Sequence, residues 1–246
     1  MKVKRVLLYT LIFLTAFTVS LYFTFPFERV IKRVLFEKGL YPSGVSFRHF
    51  PPELFVGELP LKGITLRKLT VKPVSLHRFK IESELCGGRL WATSGWPPGR
   101  ISFSLKEVRL SECPFRFQQI EAEGRADGKG YLSFSGKHLT GGKGEFTLSG
   151  VKVKNLNFGL FSFKELRMGE GRITYSVTSK DYVKINGNLK GKDAEVAVKG
   201  SVSYNPQNPE NSYVNFQFAV EMKSGKLTGQ RFNFTVRGNF NSLRFY

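Results

Sequence analysis

The first forty residues carry a helical pattern that begins with an apolar segment. Val6 to Phe25 contains no charged residue, no Gly and no Pro. Twenty residues in a helix cover about 30 Å, the thickness of a bilayer's hydrocarbon core. The basic residues Lys2, Lys4 and Arg5 also suit a cleaved signal, but its apolar stretch is usually about 7–15 residues long and ends in small residues. We therefore predict a retained transmembrane anchor over residues 6–25, after a basic cytoplasmic flank over residues 1–5.

A short amphipathic helix is predicted over residues 27–39. Apolar residues recur there at helical spacing, and Gly39 is placed to end the helix. Two interpretations are open: the helix lies along lipid headgroups, or it caps one end of the following domain's core. If the helix lies along the headgroups, the residues that contact the membrane surface are Arg29, Lys32 and Arg33.

From Gly44 onward, apolar residues alternate with polar ones. The runs are Ile64 and Leu66; Ile101, Phe103 and Leu105; Phe115 and Phe117; Phe146 and Leu148; Ile173, Tyr175 and Val177; Val183 and Ile185; Val196 and Val198. Strict alternation predicts strands with one apolar and one polar face. Turns are predicted at Asp127-Gly128, Gly141-Gly142, Asn186-Gly187 and Ser224-Gly225. We expect a mainly β fold, with the two helices followed by a long curved antiparallel sheet, a half-barrel or trough, over residues 44–246.

The clearest alternation lies near the C-terminus and marks the candidates for an apolar face. A sandwich would fill its own interior, whereas a curled half-barrel would leave a groove for acyl chains or for a hydrophobic segment of another protein. The candidate residues are Val214, Phe216, Phe218, Val220, Met222, Phe232, Phe234 and Val236.

Charge bears on partners and on orientation. The net charge of +19 indicates an anionic partner, lipid headgroups or nucleic acid, with an ordinary solvated basic face as the alternative. An anchor favours membrane lipids, and no zinc-finger or helix-turn-helix pattern supports nucleic acid. Basic residues flank the span on both sides, but long domains translocate largely regardless of charge. This favours an exported, periplasmic domain.

The remaining chemistry indicates a non-enzymatic protein without cofactor or metal. His49, His77 and His138 have no carboxylate or cysteine at triad or ligand spacing, and we expect surface or structural roles for them. The GxSxG, HExxH and P-loop motifs are absent, and the glycines at 128, 130, 142 and 144 are interpreted as turns. No catalytic or metal-binding residue is therefore assigned.

The two cysteines, Cys86 and Cys113, leave two alternatives open. An even pair in an exported domain can form a disulfide, which would contribute about 3 kcal/mol on the chain-entropy model. The other alternative is a pair of reduced core cysteines.

Most of the chain resembles a known family. The segments that carry the resemblance are Gly44-Val45-Ser46-Phe47, Leu59 to Leu66, Leu85 to Leu90, Thr140 to Phe146, Asn186 to Leu189, Gly191 to Ala194, Val198 to Val202 and Val236 to Phe240. Together with the N-terminal span they are similar to the N subunit of the bacterial type II secretion system (general secretion pathway protein N). The chain also resembles the wider AsmA-like group of envelope proteins.

The resemblance implies a location and a role. A type II secretion N subunit is a single-pass inner-membrane protein with its bulk in the periplasm, and it serves protein export with other components of that machinery. The AsmA-like likeness implies the alternative, a lipid-binding or lipid-transfer protein that carries acyl chains in an apolar β-groove.

Overall fold

A computed structural model describes residues 2–61, 64–95, 99–113, 121–158, 161–239 and 242–245. Two helices come first: α1 spans Lys2–Thr24 and α2 spans Phe27–Glu37. Pro26 separates them, because proline has no amide hydrogen to continue the first helix. The predicted alternation at Phe115 and Phe117 lies outside the described residues.

Gly39 ends α2 as predicted. It has φ +73° and donates its N–H to the Phe36 carbonyl, while the Leu40 N–H bonds the Leu35 carbonyl. This is a Schellman arrangement, in which a left-handed residue satisfies the last carbonyls of the helix. Glycine fits here because it has no Cβ to clash in that conformation.

The membrane anchor is a prediction that the helices leave untested. Among the described residues, no single helix is both long enough and apolar enough to cross a bilayer. Leu11–Thr24 and Phe27–Glu37, bent by 56° from each other, satisfy that length and composition only as a pair.

All the strands belong to one antiparallel sheet, and each pairs with its neighbours in the chain. The order runs from β1 to β14 and the two ends do not pair, so the sheet is open. The strands are β1 Ser43–Arg48, β2 Glu53–Leu61, β3 Ile64–Ser75, β4 Arg78–Leu85, β5 Gly88–Gly95, β6 Arg100–Arg109, β7 Glu121–Ser135, β8 His138–Phe158, β9 Phe161–Ser179, β10 Tyr182–Lys190, β11 Ala194–Ser203, β12 Tyr213–Met222, β13 Arg231–Asn239 and β14 Arg244–Phe245. The predicted fold class is confirmed.

The strand register puts the alternating apolar residues on the same face. Directly paired residues point to the same side of a sheet, and successive residues of a strand point to opposite sides. One such row, all on the apolar face, is Val45↔Val56↔Leu69; another is Ala92↔Phe103; a third is Leu189↔Val196↔Val220↔Phe232.

Three of the four predicted turns were wrong. Asp127-Gly128 lies inside β7, Gly141-Gly142 inside β8 and Asn186-Gly187 inside β10; only Ser224-Gly225 lies in a connection. Within the sheet, glycine gives room to large side chains of the neighbouring strand. A Cβ on Gly187, for example, would lie 2.8 Å from the Ile173 side chain.

A line of glycines bends the longest strands. Gly124 in β7, Gly150 in β8 and Gly169 in β9 all have φ between +60° and +130°, and the register shifts beside the first two. A Cβ on Gly169 would lie 2.6 Å from the Cα of Gly191, in the β10–β11 connection. Because bulges bend strands and increase twist, this line curves the sheet across β7–β9.

Two buried clusters fill the apolar face at its ends. The first joins Val45, Val56, Leu59 and Leu69 of β1–β3, and Ile31 of α2 packs on it. The second lies on β8–β12 and also contacts side chains of β13 and of two connections. Its buried members are Val151, Leu166, Leu189, Ala194, Val196, Val198, Val220 and Met222.

Candidate binding face

Between the two clusters lies a stretch of apolar face that belongs to neither. We call it the central face. Its side chains are half-buried, as are the apolar residues at the margins of the end clusters, whereas the core members of those clusters are almost fully buried. The central face consists of Ile101, Phe103, Leu105, Leu132, Phe146, Ile173, Tyr175 and Ile185.

Three aromatic rings form the middle of the central face. Phe103 and Tyr175 lie 6.3 Å apart between ring centroids and only 10° from parallel, and Phe146 lies 6.2 Å from Phe103 and 6.1 Å from Tyr175. The strands that carry Phe103 and Tyr175 are three strand spacings apart, about 14 Å. The two rings therefore extend toward each other across the strands between them.

Glycines let these rings lie flat on the sheet. A Cβ on Gly128 would lie 2.3 Å from Cδ1 of Phe146. A Cβ on Gly144 would lie 2.4 Å from Cε1 of Tyr175, and one on Gly130 would lie 2.5 Å from the Tyr175 hydroxyl. Because any side chain at these positions would occupy the volume of a ring, glycine is required for the flat arrangement.

Tyr175 is fixed by its hydroxyl. The phenol O–H donates to the Tyr131 carbonyl oxygen at 3.0 Å, and this bond crosses two strand spacings. Burial raises the pKa of Tyr175 to about 12, because the phenolate would lose its hydration. The hydroxyl is therefore a neutral donor at physiological pH, and the central face has no charge at this point.

The eight predicted apolar-face residues lie on one face of β12 and β13. Val214, Val220, Met222 and Val236 are buried, and Phe218 stacks on Phe234 with centroids 4.8 Å apart. Six of the eight, all except Val214 and Val236, belong to the second cluster or pack against it. A second half-buried apolar surface, the central face, lies on β6–β10, where the sequence pattern named no binding candidate; its signal was alternation interrupted by glycine.

Helix α2 packs on the sheet through one side and leaves other apolar residues exposed, so contact with lipid headgroups stays a prediction. Ile31 packs on the first cluster, while Val30 and Val34 remain 42% and 50% exposed. Of the predicted membrane-surface residues, Arg29 and Arg33 are exposed and Lys32 is partly buried. Arg33 also forms an ion pair with Glu37 at 3.1 Å.

The start of the sheet is closed by the helices. Glu28 of α2 accepts a hydrogen bond from the Phe47 N–H of the edge strand β1 at 3.0 Å, and Tyr22 of α1 donates to the His49 carbonyl at 2.7 Å. The rings of Tyr22 and Phe47 lie 5.6 and 5.2 Å from that of His49. These contacts cover the Phe47 end of the edge strand β1.

The structure joins Cys86 and Cys113 in a disulfide, with Cα atoms 5.0 Å apart. Cys86 lies in the β4–β5 turn with φ +48°, and Cys113 follows the short 3-10 helix after β6. A backbone bond from the Arg109 N–H to the Cys86 carbonyl supports the same link. The pair holds two neighbouring hairpins together.

His138 has a carboxylate partner that sequence spacing did not show. Its Nδ1 lies 2.7 Å from Oδ2 of Asp181, and the Leu139 N–H donates to Oδ1. Burial alone would raise the pKa of Asp181, but these hydrogen bonds outweigh it and lower that pKa. The pair joins the β7–β8 and β9–β10 turns, which is a structural role. Across the described residues, no group of three acidic, His or Cys side chains could hold a metal ion.

The described residues thus define a mainly β protein whose single open sheet has a continuous apolar face. No family model, curated protein or solved structure matches this chain.

Proposed function

We propose that this chain is a non-enzymatic, membrane-anchored component of a bacterial type II secretion machinery. Its periplasmic β-domain binds an apolar segment of an envelope partner along the central face. The observation that carries the binding role is the group of half-buried rings of Phe103, Phe146 and Tyr175 on the apolar face, which belongs to neither buried cluster.

Binding of a partner to the central face would be driven by the burial of its apolar surface. Apolar surface removed from water contributes roughly 25 cal/mol per Å², and flat aromatic rings supply a large area at low entropic cost. The glycine floor holds the rings in place before binding, so little ordering is needed when a partner arrives. The secretion role itself rests on the family resemblance.

A second candidate function is the AsmA-like one, in which acyl chains of lipid occupy the central face. The observation that favours it is the chemical uniformity of the surface. Its side chains are aliphatic or aromatic, and its one hydroxyl, that of Tyr175, is already bonded to the Tyr131 carbonyl. Such a surface binds alkyl chains without leaving a polar group unsatisfied.

Photo-crosslinking in intact cells tests both functions. Benzoylphenylalanine replaces Phe146 on the central face in one variant and Thr147 in a matched control, because Thr147 is the next residue of β8 and points to the opposite, solvent-exposed side. We expect a protein adduct containing a secretion component from position 146 only.

The other outcomes are equally informative. An adduct of lipid mass at position 146 alone would replace the secretion role with the lipid-carrier role. Equal labelling at positions 146 and 147, or none at either, would refute binding on the central face.

A further inference from the structure

The polar face of the same sheet carries a second surface, which we call the polar band. Two neighbouring rows of residues cross β6–β12 on the side opposite the central face. The first row is Ser102↔Tyr131↔Lys143↔Ser176↔Lys184↔Ser201↔Asn215, and the second is Ser104↔Lys129↔Glu145↔Thr174↔Asn186↔Lys199↔Gln217.

Two depressions lie in the polar band. The larger, of about 570 Å³, lies on β6–β9 and includes Arg100, Lys129 and Lys143. The smaller, of about 220 Å³, lies on β10–β12 and includes Lys184 and Lys199. Their linings are adjacent at β9 and β10, where Thr174 of the larger depression donates to the carbonyl of Asn186 of the smaller at 3.3 Å. Strand β8, which carries Lys143, and strand β11, which carries Lys199, are three strand spacings apart, about 14 Å.

The polar band carries an excess of positive charge. The two depressions contain five cationic side chains and a single carboxylate, that of Glu145. Glu145 is already shared between Lys129 and Arg172, at 3.7 Å from each. Within the described part of the chain, Lys143, Lys184 and Lys199 have no carboxylate at ion-pair distance. An anionic ligand would therefore replace solvent and not an internal partner.

Neutral hydrogen-bonding groups surround these cations. Hydroxyls and amides in the depressions both donate and accept, as the hydroxyls of sugars do. Most of them are free of other side chains: Asn186 and Gln217 are exposed, whereas Asn215 already accepts a bond from Arg237 at 3.0 Å. The larger depression is also lined by Phe103 and Tyr175, which lie between the two polar rows in sequence, and neither is an exposed large hydrophobic residue.

We propose that the polar band binds an acidic polysaccharide, lying across the strands from one depression to the other. The lysines attract carboxylate or phosphate groups, and the amides and hydroxyls bond the sugar hydroxyls between them. In the larger depression nucleic acid fits less well, because binding of single strands depends on open aromatic faces, and the ring of Tyr131 is covered by Arg100 at 3.8 Å. The proposal uses the opposite side of the sheet from the central face and does not depend on the secretion role.

Binding to polygalacturonate measures the proposal directly. The full-length chain in detergent is titrated with polygalacturonate, with uncharged dextran and with oligothymidylate. We expect polygalacturonate to bind most tightly and its affinity to fall as salt is added, since the contacts are exposed and screened. Equal binding of dextran, tighter binding of oligothymidylate or no binding of polygalacturonate would each overturn the proposal.

Two variants test the residues. Lys184→Gln with Lys199→Gln removes two charges from the band, and Lys137→Gln with Lys164→Gln removes two exposed, unpaired charges elsewhere. We expect affinity for polygalacturonate to fall about fivefold in the first and to stay unchanged in the second. Equal losses in both would show that net charge alone attracts the polymer.

A neutral variant separates sugar recognition from charge. Gln217→Leu keeps every charge of the band but removes an amide from the smaller depression. We expect about threefold weaker binding of polygalacturonate with the same salt dependence. Unchanged affinity would refute the assignment of a sugar ligand and leave a general anion surface.

Discussion

The contact between Gly128 and Phe146 can be tested by adding one methyl group. In Gly128→Ala the new Cβ would lie 2.3 Å from Cδ1 of Phe146, so the ring must move. Moving it weakens its contacts with Phe103 and Tyr175, at 6.2 and 6.1 Å, and aromatic pairs contribute about 0.5–1.5 kcal/mol each. The lost ring contacts and the cost of overpacking act together, so we expect the free energy of unfolding to fall by about 2 kcal/mol.

A matched control lies in the adjacent strand. A Cβ on Gly141 would have Ser133 Cβ as its nearest neighbour, at 3.6 Å, and Gly141 does not have a positive φ. Gly141→Ala should therefore leave the free energy of unfolding unchanged or raise it by up to about 1 kcal/mol, because alanine restricts the unfolded chain. Equilibrium unfolding in guanidinium, followed by tryptophan fluorescence of the full-length chain, measures both variants.

A double-mutant cycle tests whether the Phe146 ring causes this loss of stability, since additive effects of the two substitutions would refute the contact. In a Phe146→Val background the ring is gone, so Gly128→Ala should cost less than about 0.5 kcal/mol. The cycle should then show a coupling free energy of about 1.5 kcal/mol between the two positions. If Gly128→Ala costs the same in both backgrounds, the Phe146 ring does not lie on this glycine.

Three further predictions concern stability. Replacing Cys86 and Cys113 by serine should lower the free energy of unfolding by about 3.5 kcal/mol from the chain-entropy relation for 27 residues, measured against the wild type with and without reductant. Leu166 is only 2% exposed, so Leu166→Ala should lower the free energy of unfolding by about 2–5 kcal/mol in the same assay. Leu132→Ala on the half-buried central face should lower it clearly less. The Ser224 hydroxyl, followed by the Arg167 N–H, lowers the pKa of Asp193, and such a carboxylate stabilises the fold above its unfolded pKa, near 4. Stability should therefore fall more steeply on acidification below about pH 4 in the wild type than in Asp193→Asn, and equal pH profiles would contradict this role.

The sequence predicted the fold because its main signals are local. Alternation of period two marks strands whatever their partners are, and Gly39 acts through its own φ and the carbonyls just before it. An antiparallel chain in which each strand pairs with the next needs no long-range information for its topology. The mainly β class and the role of Gly39 in ending α2 followed from these patterns, although α2 itself ends at Glu37 and not at residue 39.

The glycines inside the strands could not be interpreted locally. Asp127-Gly128 has the composition of a hairpin turn, and only its pairing with Phe146 explains why it lies within β7. Likewise, His138 and Asp181 are 43 residues apart and meet because two turns lie at the same end of the sheet. The central face was not among the predicted candidates for the same reason, since alternation shows which side a residue faces and not what covers it.

The two ends of the apolar face differ in how they are covered, and this limits where a partner can bind. At the β1 end, Ile31 of α2 packs on the first cluster and Glu28 accepts the Phe47 N–H of the edge strand, so the helix next to the proposed anchor covers that end. At the other end the second cluster is packed by side chains of the sheet itself. A ligand of the central face must therefore enter over β6–β10, and because the rings there already lie flat on glycine, it meets a preformed surface.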